Sequence, residues 1–129
     1  SLLASLAFSS TGTCACHSIS YPLTARYGLD QGFACAFTMP EILEWNWEAL
    51  GEEKQNALLA AMEVPDGPSA VAKLRDFCAS LGTPQKLSDI GVKPEDLESI
   101  PALTAQRNLD NTLCDFTKAN VIDILKQKF

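Results

Sequence analysis

The sequence predicts an all-α fold, a bundle of short helices, and three observations carry that reading. Apolar residues recur at steps of three and four, as at Val71, Leu74, Phe77, Cys78 and Leu81, which lines one face of a 3.6-residue helix. No run alternates Val, Ile, Thr and aromatic residues with the two-residue period of a strand. The 129 residues suffice for one domain with its own core.

The elements follow in order. Residues 2–20 read as one helix rich in small side chains, which permit close helix–helix approach. Pro22 opens a second short helix, since proline suits the first helical position, and Gly28 ends it. Residues 29–32 form a turn, and residues 32–47 return as an apolar helix with Pro40 as a kink or break. Residues 51–63 are amphipathic, with Ala57, Leu58, Ala61 and Met62 on one face. Glu52 and Glu53 suit the positive end of that helix dipole. Residues 65–68 form a loop, residues 69–81 a helix, and Gly82 its stop. Residues 87–90 make a single turn closed by Gly91, and residues 94–105 are helical in part, interrupted by Pro101. Thr117 caps a last helix that buries Val121, Ile122 and Leu125.

Charge is unevenly spread. From Ser1 to Pro40 the only formal charges are Arg26 and Asp30. A solvated surface carries more than that, so the first third is expected to be a buried core or a face that meets something else. A net charge of −6 gives no basic face for nucleic acid and no attraction to anionic membranes. A membrane span is rejected for residues 1–25. They hold six serines, three threonines and His17, and their apolar runs fall well short of the roughly 20 residues a spanning helix needs. A signal peptide is not expected, because no basic residue precedes Leu2. The chain is expected to be cytoplasmic. Its five cysteines (Cys14, Cys16, Cys35, Cys78 and Cys114) form no C-x-x-C pair. They read as small buried thiols, with a zinc site as the rival, and Cys14 and Cys16 on a helix would point to different faces.

His17 is the one histidine. Taken alone it has two readings, a satisfied core residue or a ligand, and one imidazole cannot make a metal site. The surrounding pattern decides more. Phe8 to Gly12, His17, Gly32 and Ala36 to Pro40 stand at the spacings of the iron-containing alcohol dehydrogenase family. There an aromatic-Ser/Asn-x-x-Gly stretch runs into a helix bearing a metal-binding His, and a turn with a second His follows. Leu81 to Pro84, Leu87 to Val92, Pro94 to Leu97, Asn108 to Asn111 and Thr117 to Leu125 are similar to the family's later segments. His17 to Thr24, reading His-Ser-Ile-Ser-Tyr-Pro-Leu-Thr, looks closest to the phosphonoacetaldehyde reductase-like branch.

The resemblance implies the C-terminal helical domain of a dehydroquinate synthase-like two-domain enzyme, with residues 1–129 as one metal- and substrate-side domain. It implies Fe(2+) or another divalent metal, NAD(P), and a small alcohol or aldehyde substrate, anionic in the nearest branch. A metal in this family polarises the substrate oxygen while hydride moves to or from the nicotinamide. His17 and Gln31 fall at metal-ligand positions. Gln31 departs from the family's His, and an amide oxygen is a weaker ligand than imidazole; Asp30 offers a carboxylate beside it. Tyr21, one turn beyond His17, has two roles open, a catalytic hydrogen-bond donor or a packed aromatic. Arg26 could meet an anionic substrate or serve the helix terminus. The family's other two ligands and its nucleotide-binding domain are expected upstream of Ser1, so the chain alone should be inactive. Its chargeless first third should then drive self-association. The alternative is a helical packing domain that has lost its metal, on the strength of Gln31. Polyol dehydrogenases and dehydroquinate synthases share the two-domain plan but would use differently spaced ligands.

Overall fold

The computed structural model describes residues 2–129, and every regular element among them is helical. The α-helices are α1 (Leu2–Thr11), α2 (Ala15–Tyr27), α3 (Gln31–Phe37), α4 (Met39–Asn46), α5 (Gly51–Met62), α6 (Gly67–Ser80), α7 (Gln106–Asp110) and α8 (Lys118–Lys126). Short 3-10 turns fill the gaps at Glu48–Leu50, Leu87–Ile90, Pro94–Ser99 and Pro101–Leu103. No helix among the described residues is long and apolar enough to cross a membrane.

The core is built around α2. Its Ala15, Ile19 and Leu23 are fully buried, at the four-residue step that makes one stripe. Ala34 and Phe37 of α3 meet that stripe from one side. Leu87, Ile100, Leu109, Val121 and Leu125, from the C-terminal third, close it from the other. Burying such a side chain contributes roughly 1.5–3 kcal/mol, so residues far apart in sequence hold α2 in place.

The first helix expected over residues 2–20 is two helices. Gly12 adopts φ +84°, and Cys14 is extended at φ −116°, ψ −164°. Both leave the helical region, and Asn111 of α7 fixes the break by donating Nδ2 to the carbonyls of Thr11 and Thr13, each at 3.2 Å. Pro22 does not open a helix; it lies inside α2, buried. It forfeits one backbone hydrogen bond there, a cost carried by the packing around it. Gly28 ends α2 as expected, at φ 69°, with Leu29 N donating to Leu23 O and Gly28 N to Thr24 O, a Schellman-type closure.

The helix expected over residues 32–47 divides at Thr38, and Pro40 sits in the first turn of α4. The amphipathic reading of α5 gives its bounds but overstates its burial. Ala57 and Ala61 are exposed and none of its residues is fully buried. In α6, Val71 and Cys78 are buried whereas Phe77 and Leu81 are exposed. Asp66 caps α6 by accepting from Ser69 N at 2.8 Å, so that helix starts two residues earlier than its apolar period. Thr117 caps α8 in a reciprocal box with Asn120, and Val121, Ile124 and Leu125 are its buried face.

Candidate functional site

His17 is the third residue of α2 and is half-buried. Its backbone N donates to Cys14 O at 3.1 Å, the first bond after the Gly12–Cys14 break. Its carbonyl accepts from Ser20 Oγ at 2.7 Å. Ser20 Oγ in turn accepts from Gln31 Nε2 at 2.8 Å. The two residues expected as ligands thus belong to one polar chain, Gln31 to Ser20 to the His17 carbonyl, which ties α3 to α2.

Gln31 is engaged at both ends of its amide. Nε2 also reaches Cys35 Sγ at 3.5 Å, and Oε1 accepts from Thr24 Oγ1 at 3.1 Å. Asp30 is the exposed N-cap residue of α3 and makes no side-chain cap. Among the described residues no group of three or more His, Cys, Asp and Glu side chains gathers as a metal shell. One imidazole and an amide already bonded to its neighbours do not hold a first-row divalent metal. The donors within this chain therefore do not fit a complete metal centre.

Tyr21 stands four residues beyond His17, on the same side of α2, and is 40% exposed. Its phenolic oxygen accepts from Asn108 Nδ2 at 3.2 Å, and the same amide donates to Thr13 Oγ1 at 2.9 Å. A phenol that accepts this bond keeps its own proton free to donate outward. Beside it, Thr11, Gly12, Thr13, Arg107, Asn108, Asp110 and Asn111 line a polar pocket of about 180 Å³. Arg26 faces elsewhere: its guanidinium donates to Ser99 Oγ at 2.8 Å. It ties the C-terminal turn of α2 to the 3-10 segment Pro94–Ser99.

Cys14 and Cys16 do not share a helix, since α2 begins at Ala15. Cys14 lies outside the helix, with an extended backbone at the start of α2. Interaction with Cys16, opposed by burial and aided by nearby His17, lowers the Cys14 thiol from its ordinary range. Cys16 is raised by its interaction with Cys14 and by desolvation. All five cysteines are free. Cys14 and Cys16 also border an apolar groove of about 560 Å³, with Met39, Ile42, Leu58, Met62 and Leu74 among its walls.

Asn108 to Asn111 were matched to a family segment without a role, yet with Thr112 they organise the site. Thr112 Oγ1 accepts from Ala15 N at 3.2 Å and so caps the start of α2. These partners lie about ninety or more residues from the segment they hold, and no local pattern announces such a pairing. The available signal was the resemblance of Asn108 to Asn111 to a family segment, which named no partner for them.

The helical fold around α2 is shared with a solved alcohol dehydrogenase. The family model "Fe-containing alcohol dehydrogenase family, C-terminal" matches residues 1–129, and the chain belongs to that family. Lactaldehyde reductase of Escherichia coli (strain K12) is 31% identical over 116 residues, covering 84% of this chain and 29% of that protein. Phosphonoacetaldehyde reductase of Streptomyces viridochromogenes is 53% identical over 34 residues, 26% of this chain and 9% of that protein. The solved structure of an alcohol dehydrogenase from Oenococcus oeni superposes with a TM-score of 0.80 at 23% identity, covering 98% of this chain and 35% of that one. The chain spans about a third of the length of such relatives.

Proposed function

We propose that this chain supplies the substrate-side helical domain of an NAD(P)-linked alcohol or aldehyde oxidoreductase. The match of residues 1–129 to the family carries the reading. The nicotinamide site, and most of any metal shell, would come from residues outside this chain, so the chain alone would not turn over. His17 would offer one imidazole at the start of α2. Tyr21 would donate its hydroxyl proton to a substrate oxygen, its lone pair held by Asn108. Thr13 fixes Asn108 in turn, so the donor is oriented before substrate arrives. The substrate would be a small alcohol or aldehyde; the short, high-identity stretch shared with a phosphonoacetaldehyde reductase supports an anionic one.

The test is kinetic, in the longer protein that carries these residues. Tyr21→Phe should lower kcat by roughly a hundredfold, the scale of one lost oxyanion donor, with KM little changed. Unchanged kcat would remove Tyr21 from the chemistry.

A second reading has its own observation. The Gln31 amide is satisfied by Ser20, Thr24 and Cys35, which suits a domain that has exchanged a ligand for a helix–helix tie. Iron or zinc titration of the longer protein separates the two. Stoichiometric binding lost in His17→Ala favours the oxidoreductase; no binding in either favours the packing domain.

A further inference from the structure

We propose that the polar pocket at the break between α1 and α2 is an anion subsite, in which Arg107 binds the phosphonate or carboxylate end of the aldehyde whose carbonyl meets Tyr21. The proposal rests on the oxidoreductase reading of Tyr21 and adds the group that selects the substrate. The chain has three arginines, and two are engaged within it. Arg26 donates to Ser99, and Arg75 pairs with Glu41. Arg107 is exposed and, among the described residues, joins no ion pair. It lines the pocket of about 180 Å³ together with Thr13, Asn108 and Asp110. A guanidinium offers paired N–H groups in one plane, which match two oxygens of a phosphonate or carboxylate.

The pocket and the phenol are joined through one atom. Asn108 Nδ2 donates to Thr13 Oγ1 at 2.9 Å and to the Tyr21 oxygen at 3.2 Å. A short aldehyde can therefore reach Tyr21 with its carbonyl while its anionic end lies in the pocket. Thr13 Oγ1 accepts from Asn108 and keeps its own proton to donate to that anion. Arg107 and Asn108 are neighbours on α7, so the residue that holds the phenol adjoins the one assigned to the anion. Asn111 fixes the opposite wall by donating to the Thr11 and Thr13 carbonyls, so the pocket stands before a ligand enters. Asp110 limits what fits. Its carboxylate accepts from Gln106 Nε2 at 2.8 Å and lines the same pocket. Like charges in contact are costly, which favours one compact anion over the extended charge of a diphosphate.

The experiment uses the longer protein that carries these residues. Methylphosphonate is the binding probe, and 2-oxoethylphosphonate and propanal are the aldehydes. In titration calorimetry, Arg107→Gln should weaken methylphosphonate by roughly ten- to a hundredfold, the scale of lost hydrogen bonding to a charged group. Arg107→Lys, which keeps the charge without the fork, should weaken it less. In Arg107→Gln the KM for 2-oxoethylphosphonate should rise by a similar factor relative to that for propanal. Equal methylphosphonate affinity in the unsubstituted protein and Arg107→Gln would overturn the proposal, as would no binding to the unsubstituted protein. A loss confined to NADH would overturn it too, by assigning Arg107 to the phosphates of the cofactor. The calorimetric arm needs no turnover. A protein that reduces neither aldehyde, yet loses methylphosphonate on Arg107→Gln, would support the anion subsite and refute the oxidoreductase reading.

Discussion

Helices α1 and α8 are almost the same length, ten residues and nine, yet they relate to the molecule in opposite ways. Helix α8 buries Val121, Ile124 and Leu125, spaced three and four apart, and turns Asp123 and Lys126 to solvent. Helix α1 is the more apolar and buries nothing; Leu3 is 82% exposed, and Leu2, Leu6 and Phe8 are exposed with it. Apolar content alone does not dock a helix. What docks it is a stripe at the helical period facing a surface of complementary shape, together with an end that satisfies its free backbone groups. Helix α8 has both; α1 has a C-terminal end held by Asn111 but no buried stripe.

The largest effect is expected where the stripe is deepest. Leu125→Ala removes a fully buried side chain that packs against the core. It should cost about 2–5 kcal/mol of unfolding free energy, read from urea denaturation, whereas Leu3→Ala should leave the midpoint in place. Equal shifts would mean that α1 packs as α8 does.

Just beyond α8 lies the next test. Lys128 is buried, sits 4.8 Å from the centre of the Phe37 ring, and pairs with buried Glu41 at 3.1 Å. Arg75 also reaches Glu41, at 3.3 Å, but is 42% exposed. The Glu41 Oε2 atom is buried and unpartnered, so the carboxylate depends on few contacts. Lys128→Met should destabilise by about 3 kcal/mol, because it strands a buried charge. Adding Glu41→Leu should recover much of that loss. A double variant as unstable as the single one would show that the lysine acts through its packing alone. At the other end of α8, Thr117→Ala deletes the cap and should cost about 1 kcal/mol, measured the same way.

The same contrast explains what could be read ahead of the structure. Helix bounds were legible where a cap or a period stood in the sequence: Thr117 for α8, Gly28 for the end of α2, Gly51 and Gly82 around α5 and α6. They failed where a distant residue decides. The break at Gly12 to Cys14 is set by Asn111 across the chain, and Pro22 stays inside a helix because neighbouring elements bury it. Of the site, the positions of His17 and Tyr21 on one helix were visible as a spacing. The grip of Asn108 on Tyr21 was not, since the two residues lie 87 positions apart in the chain. Gln31 shows a subtler gap. Its place in the family pattern was legible, but its engagement with Ser20, Thr24 and Cys35 needed α3 laid against α2.

The smallest effect on stability belongs to α1, and it sharpens the comparison most. A chargeless helix with four large apolar residues exposed is a surface that promotes association. We expect the isolated chain to self-associate through it. Leu3→Ser with Leu6→Ser should change unfolding free energy by no more than about 0.5 kcal/mol, as surface substitutions do. The same pair should shift sedimentation toward the monomer. Because those residues support no core, loss of association without loss of stability would assign the contact to α1 itself. A chain that sediments as a monomer at high concentration before any substitution would show that α1 tolerates water as it stands. The apolar first third would then lack any role in association.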